Sequence, residues 1–481
     1  MSPVDGFFAK QPIRALAGYA VMIVATIGLF FAIREYGENL VAPAAAIPSA
    51  APGEVGPAAI SQPLLHLLLA LSAVIILGRV LARLFAYLGQ PPVIGEVLAG
   101  ICLGPSLLGR VAPDLESFLL PGSVAPALSV VAQLGVILYM FIVGLELNAG
   151  ILRKQGHVTL AISHASIVVP FSLGAVLAIW LYPMLSHNGV PFTAFALFLS
   201  VSMSITAFPV LARILTDRQL SKTDLGAIAL ACAATDDVSA WCLLALVVGV
   251  AQAKVSEALV VTVLTILYIA LMFAVVRPLV AKFLPRYSPD GLTPSVMAVI
   301  LVGVLLSALA TEAIGIHAIF GAFLFGAVIP HDSLVAREIT RKLQDFVTTL
   351  LLPAFFAFTG MRTQIGLLDD WQQWLVCLAI IAVATAGKFG GTLAASRVMG
   401  LGWRESASLG ILMNTRGLME LIVLNIGLDL GVISPTLFAM MVVMAIVTTV
   451  ATSPILSALM PSAVPSGLPD DDRASSMARS R

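Results

Sequence analysis

The chain is a succession of apolar runs long enough to cross a membrane. Fourteen windows of about 20 residues, the length that a roughly 30 Å hydrocarbon core demands of a helix, fall near 13–34, 63–88, 92–108, 126–147, 158–182, 191–215, 224–250, 257–283, 294–311, 314–330, 346–362, 372–396, 405–429 and 435–460. With no water in the bilayer core, each backbone donor and acceptor must be satisfied inside such a segment, so the runs are expected as helices. Composition points the same way: 59% of the residues are hydrophobic and 11% charged, with a mean hydropathy of +1.02, far from a soluble domain. The expected fold is an all-α polytopic membrane protein of about 13–14 transmembrane helices, with membrane lipid as its surroundings. A net charge of zero gives nucleic acid no electrostatic footprint. Cys102, Cys232, Cys242 and Cys377 lie in apolar runs without ligand or disulfide spacing and read as small core residues. His66, His157, His164, His187, His317 and His331 are scattered without zinc spacing.

The first run is flanked by Lys10 and Arg14 and followed by Ala-rich sequence, the pattern of a secretory signal. Its apolar stretch from Ala15 to Ile33 is long for a signal and right for a span, so a retained helix is expected. With the N-terminus cytoplasmic and the runs alternating, 20 of the 26 basic residues fall on cytoplasmic ends and loops, among them Arg79, Arg83, Arg213, Arg337, Arg341, Lys342 and Arg397. The opposite side keeps Arg34, Arg110, Lys254 and Arg362. That bias follows the positive-inside rule and puts both termini in the cytoplasm of a multi-pass protein of the cell membrane. Three regions are expected: residues 1–62, an extra helix and an extracytoplasmic linker rich in Pro, Ala and Gly; 63–460, the transmembrane domain; and 461–481, a short disordered cytoplasmic tail. No soluble domain is attached, which leaves room for a separate regulatory subunit.

Without the first run, thirteen spans divide as six, one and six, and an odd offset of seven inverts the second six against the first. The fifth span of each group carries an interruption: S-M-S-I-T-A-F-P at 202–209 and M-N-T-R-G at 413–417. Pro209 removes a backbone donor and Gly417 loosens the helix, while Ser204, Thr206, Asn414 and Thr415 offer polar groups to the freed backbone. Broken helices at matching places of two inverted six-helix repeats mark a mid-membrane transport site.

Charges deep in the apolar runs sharpen this. Asp236 and Asp237, in C-A-A-T-D-D-V-S-A-W-C, lie about 12 residues into their helix, near the midplane at 1.5 Å per residue. Carboxylates there need a partner, a proton or water. Adjacent helical side chains point about 100° apart, so one can be ion-paired while its neighbour opens to a hydrated cavity. Lys388, in T-A-G-K-F-G-G, is the candidate partner, and Gly387, Gly390 and Gly391 would let another helix approach closely. One lysine neutralises one carboxylate, so a static pair leaves the second unexplained. Arg416 and Glu420, four apart, read as a local structural pair. Glu96, Glu146, Arg213, Glu312 and Arg362 lie near span ends, and Glu96 or Glu312 is placed to line a vestibule.

Oxygen-rich unwound segments beside carboxylates suit a hard monovalent cation, Na⁺ or K⁺, which together with H⁺ would be transported substrates; no cofactor is expected. If cation and proton compete for one aspartate, loading one expels the other, and the result is an antiporter rather than an enzyme. An aspartic-protease dyad needs carboxylates facing each other from different segments. A cation channel or channel-like potassium efflux subunit is the alternative, against which a buried Lys388 argues by repelling permeating cations.

The strings Q-P-P-V-I-G-E-V-L-A-G-I-C-L-G-P-S-L-L-G (90–109), F-I-V-G-L-E-L (141–147), S-I-T-A-F-P-V-L-A-R-I-L (204–215), A-T-D-D-V-S-A-W (234–241) and M-N-T-R-G-L-M-E-L-I-V-L-N-I-G (413–427) follow one another in an order that resembles the second monovalent cation:proton antiporter family. This group, with the sodium/hydrogen exchanger fold, includes bacterial sodium/proton antiporters, glutathione-gated potassium efflux proteins and plant cation/proton exchangers. The resemblance implies Asp237 as the main ion and proton carrier, and Asp236 as a second carboxylate that exchanges partnership with Lys388. It also implies Thr206 and Ser204 as lining of the site. It further implies a homodimer with a mobile core bundle against a dimerising scaffold, and, from the Asp-Asp pair, the electrogenic branch.

Overall fold

The computed structural model describes residues 12–43, 63–146, 156–220, 223–252, 255–287, 291–330 and 333–460; most of the linker, from residue 44, and the tail from 461 lie outside them. The long elements are helices: α1 (Pro12–Gly37), α2 (Pro63–Tyr87), α3 (Pro92–Leu103), α4 (Ala125–Glu146), α5 (Gly156–Leu185), α6 (Phe192–Ser204), α7 (Phe208–Asp217), α8 (Asp224–Gln252), α9 (Val255–Leu271), α10 (Pro294–Ile314), α11 (Ala318–Val328), α12 (Leu334–Phe346), α13 (Leu352–Arg362), α14 (Trp371–Val398), α15 (Trp403–Met413), α16 (Leu418–Asp429) and α17 (Pro435–Leu459). Proline opens many of them at a position whose N–H would be unbonded anyway. Thr293, Ser333 and Ser434 cap α10, α12 and α17 by accepting from Val296 N, Ala336 N and Leu437 N. Among the described residues, twelve helical spans, some of them joining two helices as α6 joins α7, are long and apolar enough to cross a membrane, and the bent pair α15 and α16 taken as one span brings the number to thirteen.

Three expectations change. The run at 314–330 yields only the 11-residue α11, about 16 Å long. It starts late because Gly315, at φ 96°, turns the chain out of α10 and His317 caps the new helix. Between α11 and α13 stands a helix the hydropathy windows did not mark. In α12, Val335, Ala336 and Ile339 are buried while Arg337, Arg341 and Lys342 are exposed, and a π-helical turn at 347–351 leads directly into α13. Cys232 and Cys377 are buried as expected, but Cys242 is exposed. In a membrane helix an apolar neighbourhood fits lipid as well as core, so sequence could not separate the two.

The helices pack as two bundles. One joins α2, α3, α4, α10, α11 and α13; the other joins α5 to α8 with α14 to α17, and α3 against α17 is a sparse contact between them. Each repeat therefore gives its first three spans to one bundle and its last three to the other. In the first bundle, α4 and α11 approach so closely that a Cβ on Gly144 would strike the Phe323 carbonyl and one on Gly326 the Phe141 carbonyl. In the second, α5 and α14 meet where Gly387 faces Pro170 (2.7 Å from a Cβ to its Cα) and Gly391 faces the Ala165 carbonyl (2.9 Å). Gly390, expected to share this role, faces open space. The extra helix α1 lies on α5 and α6 of the second bundle, with Ile33 buried and Phe30 5.9 Å from Phe171.

Candidate ion site at the helix crossing

Two helices of the second bundle break where they cross. The α6 helix stops at Ser204, the chain runs extended through Ile205 to Ala207, and α7 begins at Phe208 with Pro209 in its first turn, where a missing donor costs nothing. The second break covers Asn414 to Gly417, between α15 and α16. Ala207 N donates to the Thr415 carbonyl at 3.0 Å, so the unwound segments hold each other. Interrupting two helices exposes carbonyls and N–H groups that need new partners. Arg416 supplies several: its guanidinium donates to the carbonyls of Ser202 (2.8 Å) and Met203 (2.7 Å) at the C-terminal end of α6, where a cation also offsets the helix dipole. It pairs with Glu420 at 2.8 Å in the first turn of α16, and both side chains are buried. Thr449 of α17 accepts from Arg416 N (2.9 Å) and donates to its carbonyl (2.7 Å).

Next to this crossing, α8 presents the two aspartates. Asp236 is fully buried and saturated with donors. Ser163 gives to Oδ1 at 2.6 Å; Ser166 (2.7 Å), Thr206 (2.8 Å) and the Lys388 ammonium (3.0 Å) give to Oδ2. Lys388 also donates to the Thr206 hydroxyl at 2.6 Å, which joins α8, α5, α14 and the first break in one network. Asp237 is 3% exposed, yet neither carboxyl oxygen has a hydrogen-bond partner among the described residues. Asn414 Oδ1, in the second break, is likewise buried and without a partner. Ser204 turns away, donating to the Ser200 (2.7 Å) and Ile167 (3.1 Å) carbonyls. Thr415 bonds the Leu412 carbonyl at 2.8 Å.

Sequence reasoning missed Ser163 and Ser166, which supply half the donors to Asp236. The available signal was S-H-A-S in the span before the break, two hydroxyls on one helical face. It is a weak signal, because serines in helices usually bond a carbonyl of their own helix.

A cavity of about 210 Å³ opens between the bundles, with Pro92, Val93, Glu96, Tyr139 and Leu352 on one wall and Ala207, Pro209, Val210, Arg213, Leu418 and Met419 on the other. Glu96 therefore lines a vestibule; Glu312 instead accepts from Ala318 N at 2.8 Å. The cavity meets the first turns of α13 and α16. The last turns of those helices, about ten residues or 15 Å further along, are tied together by Arg362, which pairs with Asp429 at 2.6 Å and donates to Asn425 Oδ1 at 3.1 Å. Asn425 in turn donates to Thr359 at 2.9 Å. The bundles thus part at the end that carries Arg79, Arg213, Arg337 and Arg341, the arginine-rich end, and are latched at the other by Arg362.

Two bundles meeting at crossed, broken helices around buried carboxylates define a secondary transporter of the inverted-repeat class. Residues 70–460 match the model of the sodium/hydrogen exchanger transmembrane family, and the chain belongs to that family of membrane transporters. It is 46% identical over 382 residues to the Na⁺/H⁺ antiporter NhaS4 of Synechocystis, covering 78% of this chain and 93% of that one. It is 35% identical over 393 residues to K⁺/H⁺ antiporter 1 of Saccharomyces cerevisiae, covering 79% of this chain. It is 40% identical over 372 residues to Cation/H⁺ antiporter 18 of Arabidopsis thaliana, covering 77%. The matches span 45% of the yeast protein and 46% of the plant protein. The fold is that of the sodium proton antiporter MjNhaP1 from Methanocaldococcus jannaschii, at a TM-score of 0.60 and 16% identity over 83% of this chain and 98% of that structure.

Proposed function

We propose that the chain exchanges a monovalent cation, Na⁺ or K⁺, for protons across the cell membrane by alternating access, with residues 63–460 as the transporting unit. The observation that carries this is the asymmetry of the adjacent aspartates. Asp236 is saturated by Lys388 and three hydroxyls, whereas Asp237 is buried, bare and beside the crossing. A bare buried carboxyl is stable when it carries a proton or binds a cation. One or the other at Asp237 is a competition, and competition at a single site couples the two fluxes. Lys388 and Asp236 form the companion pair: when Lys388 releases the carboxylate, Asp236 can join the cation's oxygen ligands or take a proton.

On this reading the arginine-rich end is cytoplasmic, both termini lie on that side, and the conformation is open inward. Two copies would associate through the first bundle, leaving the second free to move. The names of the relatives, which pair Na⁺, K⁺ or an unspecified cation with H⁺, support the exchange and leave the choice of cation to experiment. The test is dissipation of a pH gradient in everted membrane vesicles on adding Na⁺, K⁺ or Li⁺, for the wild type and for Asp237→Asn. Dissipation by one cation, lost in the variant, is expected. A steady cation current with no proton movement would favour a channel instead.

A further inference from the structure

We propose that the second bundle holds an internal file of water that carries protons between its arginine-rich end and the Lys388–Asp236 pair, separate from the cavity between the bundles that Glu96 and Arg213 line. The inference rests on the antiport reading and names the proton's own route within it.

Four of the buried hydroxyls that have no hydrogen-bond partner among the described residues lie on facing stretches of this bundle: Thr159 on α5, Thr392 and Ser396 on α14, and Ser408 on α15, while Ser186 beyond α5 and Ser200 on α6, which packs beside Gly174, stand apart from them. Thr392 and Ser396 follow Lys388 by four and eight residues, on the face of α14 that carries the ammonium. Thr159 precedes Ser163 and Ser166 by four and seven, on the face of α5 that serves Asp236. The two helices run antiparallel, with Gly391 beside Ala165 and Gly387 beside Pro170. That register puts Thr392 within one or two residues of the Ser163 level, and Ser396 within one or two of the Thr159 level. On α8, Cys232 is one turn before Asp236, and its thiol donates to the Thr159 carbonyl at 3.6 Å, so the third wall passes the same point. Gly410 of α15 packs so close to α14 that a Cβ on it would come within 3.0 Å of the Phe389 carbonyl, which brings Ser408 near the Thr392 level.

The row ends near the surface. Thr159 is three residues into α5 and Ser396 two residues from the end of α14, both at the arginine-rich end. Lys388 to Ser396 is eight residues, about 12 Å along the axis. Buried hydroxyls without partners are rare because desolvation is then uncompensated. Neighbours four apart on a helix are about 5–6 Å from each other, a gap one water molecule bridges. Each hydroxyl both donates and accepts, as a proton file requires. The step moves one proton: from water at the mouth, along the file by exchange of O–H bonds, to the Asp236 carboxylate as Lys388 lets go. No other bond is made or broken.

The test uses the full chain in proteoliposomes. These hydroxyls bond no other protein group among the described residues, so Thr159→Val, Thr392→Val and Ser396→Ala combined break no bond between helices and should leave the melting temperature within a few degrees of the wild-type value. Exchange should fall at least fivefold with the cation KM within twofold, and its H₂O/D₂O rate ratio should rise as proton delivery becomes limiting. A second readout needs no transport. In a cysteine-free background, Ser396→Cys should react with a small charged methanethiosulfonate added at the arginine-rich side, while Thr452→Cys, buried in the same bundle with bonded neighbours, should not. Wild-type rate and isotope ratio in the triple variant overturn the proposal. So does slowed exchange with a lowered melting temperature, which would make the hydroxyls packing groups, or a Ser396→Cys as inert as Thr452→Cys. A wild type that moves no protons with any cation would instead overturn the antiport reading, and the labelling result would still decide the file.

Discussion

Two buried ion pairs sit beside the helix crossing, and they are built in opposite ways. Arg416 and Glu420 are four residues apart, and the arginine is fixed by two carbonyls of α6 and by Thr449 as well as by the glutamate. Lys388 and Asp236 come from helices 152 residues apart in sequence, and the carboxylate keeps three hydroxyl donors of its own. The first pair closes the ends of broken helices, so its partners are backbone groups that cannot leave. The second is made only of side chains, and Asp236 stays hydrogen-bonded when the ammonium withdraws. A pair that can open without stranding a charge is suited to a cycle; a pair that holds backbone is suited to a hinge.

The sharpest way to break this contrast starts at the residue outside both pairs. Asp237→Asn should reduce cation-driven proton movement at least a hundredfold while leaving the melting temperature within a few degrees, read by vesicle flux and thermal unfolding in detergent. Next, Arg416→Ala should destabilise by about 3–5 kcal/mol, since it strands Glu420 and two carbonyls. Arg416→Lys should recover little, because an ammonium lacks the fork that reaches two carbonyls at once. Lys388→Ala should cost less than Arg416→Ala. Combining it with Asp236→Asn should restore part of the loss, a double-mutant cycle whose coupling energy separates the movable pair from the fixed one. Ser163→Ala should cost about 1.5–3 kcal/mol, as befits a hydrogen bond to a charged group. Smallest of all, Ser204→Ala should shift stability by under about 1 kcal/mol and leave exchange near the wild-type rate. A large transport defect there would move the site towards α6.

Much of the architecture was legible because a bilayer permits few alternatives: long apolar runs had to be helices, and both interruptions fell where 202–209 and 413–417 predicted them. A link from the aspartate pair to Lys388 was legible too, because a lysine in the middle of an apolar span needs a partner. What stayed hidden depended on rotation about helix axes. The residues alone gave no reason why Asp236 rather than Asp237 meets Lys388, nor why Ser166 reaches a carboxylate while Ser204 bonds only backbone carbonyls. The amphipathic α12 escaped because its buried stripe of Val335, Ala336 and Ile339 is too narrow to raise average hydropathy.

The extra helix α1 belongs mechanically with the aspartates. It leans on α5 and α6, and Glu38 just beyond it accepts from Thr193 at 3.1 Å. Arg34 beside Glu38 holds that carboxyl below its usual range. On the proposed alternating-access cycle, α1 travels with the second bundle as an outrigger. Spin labels at the exposed Tyr36 on α1 and the exposed Val111 just beyond α3 would therefore act as an odometer, recording the stroke of each turnover from outside the machinery that drives it.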